Sequence, residues 1–168
     1  MIWLLESNHY LAGMRWHEQL FYTLFNTVTS RSAGLATMDV SEFGVPTQFM
    51  LSILMFIGAS PSSVGGGIRT TTFIIVLLAL FAFARGNHEV RAFNRTIRPE
   101  DMIKSFVIFS TAIMLVCASI ILLDSFEKQS IPLISVIFEV SSAFGTTGLS
   151  AGMTSALSTA GKLLLILL

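Results

Sequence analysis

Cysteine is nearly absent from this chain: Cys117 stands alone among 168 residues. A single thiol builds neither a disulfide framework nor a cysteine-based metal site, and inside its apolar run Cys117 reads as a small hydrophobe. Charge is equally scarce. Asp, Glu, Lys and Arg make up 12% of residues, and ten acidic side chains balance ten basic ones. A soluble domain carries about 25% charge. With no net charge and no basic patch interleaved with aromatics, nucleic-acid binding is disfavoured. Catalytic patterns are missing too. His9, His17 and His88 are far apart, and no HExxH, GxxxxGK[ST] or GxGxxG register occurs. The adjacent Glu100 and Asp101 sit beside Pro99 in a basic loop and read as solvated charges. The chain is therefore read as a non-enzyme.

Apolar side chains fill the space instead, at 53% of residues and a mean hydropathy of +0.75. This composition is that of an integral membrane protein embedded in a lipid bilayer, and the helical segments described next make the expected fold all-α. The opening MIWLLESNHY lacks the basic region and cleavage site of a signal peptide. The final apolar segment, GKLLLILL, stops after its first turns, so an excerpt of a longer membrane protein is expected.

Along the chain, residues 1–18 mix Trp3, Tyr10 and Trp16 with charged side chains, as a membrane interface does. Gln19–Ser30 reads as a helix of about three turns, too short to span. A polar loop follows, and then two apolar halves within roughly 45–84, interrupted by GASPSSVGGGIRT, Gly58–Thr70. Neither half reaches the roughly 20 residues that a spanning helix needs. Irregular backbone is very costly in lipid, so the break must line water or be buried in protein. A passive kink needs only one proline or a glycine pair; the break has Pro61, the Gly65–Gly67 run and several serines.

The hydrophilic segment 85–101 carries Arg85, Arg91, Arg95 and Arg98, with Lys104 beyond. This basic bias marks the cytoplasmic side, with a docking surface for a cytosolic partner as the sharper reading. Met102–Leu123 is long enough to span. Pro132 then opens another short helix, LISVIFEVSSA, and a further helix begins near Thr159.

Two segments align without gaps at a spacing of 114 residues: FYTLFNTVTSRSAGL, Phe21–Leu35, and SVIFEVSSAFGTTGL, Ser135–Leu149. Gly34 falls on Gly148, Leu35 on Leu149, and Ser32 and Ala33 on Thr146 and Thr147. The repeated unit is a spanning helix, a short re-entrant helix, a small-residue loop and another spanning helix. A loop of small residues can turn its carbonyls toward a narrow axis and replace the water around a cation. Glycine permits the required backbone angles and leaves no side chain in the path. The C-terminal end of the short helix adds a negative dipole end, which favours a cation.

Three motifs in order, TVTSRSAGL, GASPSSVGGGIRT and FGTTGLS, resemble those of the Trk/Ktr/HKT superfamily of potassium transporters, most closely the KtrB-type membrane subunit. The resemblance implies repeated helix–pore loop–helix units of the potassium-channel type, four around one pore, with one helix broken by an intramembrane loop. Residues 1–84 would be the third pore loop and its broken helix, 85–101 a cytoplasmic loop, and 102–168 the fourth unit with its last helix cut short. By position, Ser32, Ala33, Gly34, Leu35, Thr146, Thr147, Gly148 and Leu149 resemble the selectivity filter, with Gly34 and Gly148 offering backbone carbonyls to potassium. Gly58, Ala59, Ser60, Pro61, Ser62, Ser63, Gly65, Gly66, Gly67, Arg69 and Thr70 resemble the gating loop. Also implied are potassium uptake at a bacterial plasma membrane, homodimers, a cytosolic nucleotide-binding ring of the RCK type, and sodium as an activator in some members. No covalently bound cofactor is implied.

Three side chains carry separate expectations. Arg69 is a charge close to membrane depth, either functional or snorkelling. Glu139 either hydrogen-bonds to the filter backbone or faces outward at the interface. Arg31 supports the first loop from behind rather than facing a cation. The competing mechanism is a sodium-coupled alternating-access transporter, because broken helices near the midplane also build such sites.

Overall fold

The computed structural model describes residues 2–6, 13–32, 34–36, 39–58, 60–61, 65–86, 90–92, 95–127, 131–155 and 157–168, with Ser32, Arg91, Ala92 and Arg95 described by backbone alone. The described chain is helical. In order come α1 (Ile2–Glu6), α2 (Trp16–Ser32), a 3-10 turn (Val40–Glu42), α3 (Val45–Phe56), α4 (Thr70–Ala84), α5 (Pro99–Phe126), α6 (Leu133–Phe144) and α7 (Thr159–Leu167). A two-residue antiparallel ribbon, Arg91–Ala92 with Arg95–Thr96, interrupts the otherwise all-α pattern in the hydrophilic segment. Such a short pairing carries no periodicity that a sequence reading could detect.

Among the described residues, α5 is the one helix long and apolar enough to cross a membrane by length and composition. Its 28 residues rise about 42 Å, against a hydrocarbon core of about 30 Å. It starts at Pro99, so Glu100 and Asp101 belong to its first turn and not to the expected loop: Pro99 suits that turn, and the two carboxylates complement the helix dipole there. Ser105, Ala112, Val116, Ser119 and Leu123 form its buried stripe. The small side chains of Ser105, Ala112 and Ser119 admit close neighbours. Ile103, Val107, Met114 and Ile121 face outward, as does Cys117. The hydroxyls of Ser105, Thr111, Ser119 and Ser125 each donate to the carbonyl four residues back, so they bring no unmet polar group to an apolar face.

The helices α3 and α4 end and begin where the apolar runs do, at 12 and 15 residues. Each is too short to span alone. α6 stands between two core clusters. Phe138 packs with Val40, Phe43, Leu51, Met55 and Leu149. On its other side, Val136 and Val140 join Val116, Leu123, Met153 and Leu157. α7 starts with the Ser158 hydroxyl accepting from Gly161 N at 3.2 Å, and the Glu127 carboxylate accepts from Ser158 N at 2.8 Å. Both satisfy donors that a helix start leaves free.

α2 differs from the sequence expectation by beginning at Trp16 and running to Ser32. The cause is half of a capping box: Arg15 N donates to the Glu18 carboxylate at 3.1 Å. That pairing extends the helix into a stretch whose aromatic and charged residues suggest only an interface.

Candidate site where three backbone segments meet

Three stretches of irregular backbone converge at the C-terminal end of α6. The first is the segment after α2. Gly34 has φ +63, and its N–H donates to Thr29 O at 3.2 Å. The Thr29 hydroxyl donates to Leu35 O at 2.8 Å and accepts from Leu35 N at 2.9 Å, pinning the loop to the last turns of α2.

The second is the segment after α6. Gly145, Thr146 and Thr147 donate their N–H groups to Ser141, Ala143 and Ser142 carbonyls at 2.9, 3.0 and 2.9 Å, which closes the helix end. Thr146 holds φ +50 and Gly148 φ +83. A left-handed threonine is an uncommon and strained conformation. The aligned glycines Gly34 and Gly148 thus share the left-handed region, which favours glycine at both.

The third is the break between α3 and α4. Its ends touch: a Cβ on Gly58 would overlap Gly66 O, and Ile68 N donates to Phe56 O at 3.0 Å. The break therefore folds back on itself as a closed loop rather than a bend. An aromatic group fixes its foot, with Phe56 stacked on Phe144 at 5.6 Å between centroids and edge-on to Phe109 at 6.5 Å. Thr70 is the first residue of α4, so the break ends one residue earlier than the sequence reading had it. Thr70 can enter the helix because Arg69 supplies the extended backbone that precedes a first turn.

The three stretches touch through glycines and threonine hydroxyls. Gly66 N donates to the Thr146 hydroxyl at 2.6 Å across 80 residues of sequence. The Thr147 hydroxyl donates to Ser30 O at 3.3 Å across 117. A Cβ on Gly34 would overlap Thr147 O, and one on Gly66 would crowd Thr146 and Phe144 O. No residue larger than glycine fits either contact without displacing backbone. An open depression of about 400 Å3 adjoins Thr146, Gly148, Ser150 and Glu139.

The sequence-predicted residues therefore divide. Gly34, Thr146, Thr147, Gly148, Gly58, Gly66 and Gly67 lie at or beside these contacts. Leu149 turns its side chain into the core, and Leu35 exposes its own. Ser60, Pro61 and Arg69 are exposed, and Gly65 is half-buried. Arg31 is exposed in the last turn of α2. Ala33, Ala59, Ser62 and Ser63 lie outside the described residues, as do Tyr10, His9 and His88. Ser32 ends α2. Among the described residues no three His, Cys, Asp or Glu side chains group as a metal site.

Thr29, Ser30 and Ser150 lie in the quoted motifs without a role assigned to them, and Thr154 lies beyond those motifs. Thr29 aligns with Ala143 in the repeat, so alignment hides it. Ser150 and Thr154 belong to a polar loop whose hydroxyls gain meaning only from Glu139, to which both donate.

The family described as TrkH, cation transport protein, matches residues 1–168. The chain is 53% identical over 166 residues to the Ktr system potassium uptake protein D of Bacillus subtilis, covering 99% of this chain and 36% of the relative. It is 33% identical over 168 residues to the Ktr system potassium uptake protein B of Vibrio alginolyticus, covering 99% and 36%. Against the potassium/sodium uptake protein NtpJ of Enterococcus hirae it is 36% identical over 153 residues, covering 89% and 34%. The chain thus spans roughly a third of the length of these relatives. With a family match across its whole length, this chain belongs to the TrkH family of cation transport proteins.

Proposed function

We propose that the chain is part of a potassium-uptake pore with channel-like permeation: residues 1–84 a third pore loop with its broken helix, 85–101 a cytoplasmic loop, and 102–168 a fourth unit. Ser32 to Leu35 and Thr146 to Leu149 line the selectivity filter, with Gly34 and Gly148 carbonyls facing potassium. The break, from Gly58 through Arg69 and including Gly65 to Gly67, is the gate beneath it. The observation carrying this reading is the Gly66 N to Thr146 hydroxyl bond of 2.6 Å, which ties the break to the proposed filter loop. A gate must touch what it closes. A peptide N–H bonded to a strained loop residue is a contact that can be broken without unfolding either helix.

Electrostatics support a cation. Both proposed loops follow helix C-termini, where the dipole is negative, and among the described residues that line the depression Glu139 is acidic and none is Lys or Arg. The whole pore, in the same reading, is a homodimer in a bacterial plasma membrane, served by a cytosolic nucleotide-binding subunit of the RCK type, with sodium as a candidate activator.

The test is a chimera in which this chain replaces the matching 166-residue segment of the Bacillus subtilis relative. Expressed in cells that lack potassium uptake, it is expected to restore growth at low potassium and rubidium influx. Membrane-inserted chimera without influx contradicts the proposal. Influx that requires a stoichiometric sodium gradient favours the alternating-access mechanism, whose broken-helix site the α3–α4 break would also supply.

A further inference from the structure

Glu139 is the acidic residue of α6 and is only 5% exposed. A buried carboxylate is costly unless hydrogen-bonded. One oxygen, Oε1, accepts from the Ser150 hydroxyl, from Ala151 N at 3.2 Å and from the Thr154 hydroxyl at 3.2 Å. The Ser150 and Thr154 hydroxyls also lie 2.8 Å apart, and Gly152 N donates to Ser150 at 3.0 Å. A carboxylate only accepts, and bonds to a charged acceptor are stronger than neutral ones. The carboxylate therefore gathers the chain that returns past α6 and fixes it against that helix.

What it fixes is the far side of Gly148. On the near side, Thr147 is held by Ser30 O. Leu149 is anchored in the core. Around Gly148 itself there is open space, with nothing within 4 Å of where a Cβ would stand. Gly34 lies against the other side of the Gly148 α-carbon, 3.5 Å from where a Gly34 Cβ would stand, but no side chain covers the open side. The flanks of Gly148 must hold its left-handed conformation, and beyond Leu149 the first polar anchor is Ser150 on Glu139.

We propose that Glu139 is a positioning residue for cation discrimination: it holds the Gly148 backbone through Ser150, Ala151 and Thr154 without touching the ion. This rests on the proposed role of the loop as a filter. Discrimination between cations depends on the number and placement of carbonyl ligands. Loosening the returning chain therefore lowers selectivity while leaving conduction intact.

The test uses the chimera with Glu139→Ala, Glu139→Gln and the double variant Ser150→Ala/Thr154→Val, each checked for membrane insertion. The readout is the ratio of potassium to sodium influx, which a loss of folded protein alone does not move. Glu139→Ala is expected to cut the ratio roughly tenfold. Glu139→Gln, with an amide oxygen in place of the carboxylate, is expected to restore most of it. The double variant is expected to fall with Glu139→Ala. An unchanged ratio in inserted Glu139→Ala overturns the proposal. If that variant does not insert, an unchanged ratio in the double variant overturns it. Gly148→Ser separates the two levels: a changed ratio there beside unchanged Glu139 variants defeats this inference alone, and no change in either defeats the filter reading.

Discussion

In the chimera, Gly148→Ser is expected to lower the potassium-to-sodium influx ratio by about tenfold or more, equivalent to about 1.4 kcal/mol of lost discrimination. Two effects act together. Serine at φ +83 carries a left-handed penalty of about 1–2 kcal/mol, which shifts the carbonyl from its place. Its hydroxymethyl group also enters open space instead of a packed wall, because nothing stands within 4 Å of that direction. The protein should therefore fold and insert while its ion preference changes. Gly34→Ser is a harsher change, since its Cβ overlaps Thr147 O; it is expected to lose selectivity and stability together. Parallel influx measurements of potassium and sodium, normalised to inserted protein, check both.

Deleting Ala59–Gly65 is expected to raise potassium influx by about an order of magnitude. The deletion is tolerable because Gly58 already touches Gly66 and Gly67, so α3 and α4 need not separate to be rejoined. It tightens the chain at Gly66 and pulls that N–H from the Thr146 hydroxyl, which lies 2.6 Å away. Thr146→Val tests the same contact without touching the break. One hydrogen bond is worth about 0.5–1.5 kcal/mol, so up to about a tenfold shift toward the open state follows. Thr146→Ser retains the hydroxyl and is the control. Inserted protein with unchanged influx in both the deletion and Thr146→Val would reduce the break to a packing feature.

The helices that frame this site were legible because their causes are local. Apolar runs set the ends of α3, α4 and α6 to within a residue or so, and Pro132 marks the start of α6, whereas α5 starts three residues before the expected Met102. The shared position of Gly34 and Gly148 after their helices was likewise readable, and both adopt positive φ. What could not be read is long-range. No local pattern says that Gly66 meets Thr146 across 80 residues, or Thr147 meets Ser30 across 117. Glu139 illustrates the limit. Its sequence position left open an outward-facing carboxylate and one bonded to the filter backbone; burial rules out the first, and the bonds go to Ser150, Ala151 and Thr154, beyond residues 146–149. Its partners are in the returning chain, some residues past the aligned glycine. Leu149 shows the reverse: counted with the site by alignment, its side chain is a core anchor.

The central claim is that Gly148 faces a path taken by potassium. Its most direct test is the accessibility of Gly148→Cys, made in a Cys117→Ser background because Cys117 is exposed on α5. A water-soluble thiol reagent applied from outside is expected to modify the introduced cysteine, at a rate that falls as potassium is raised and the ion occupies the loop. Ser155→Cys, at an exposed position of the same returning chain, is the control and is expected to react at a rate independent of potassium. Modification of Gly148→Cys at a rate indifferent to potassium, or no modification while Ser155→Cys reacts, would contradict the account.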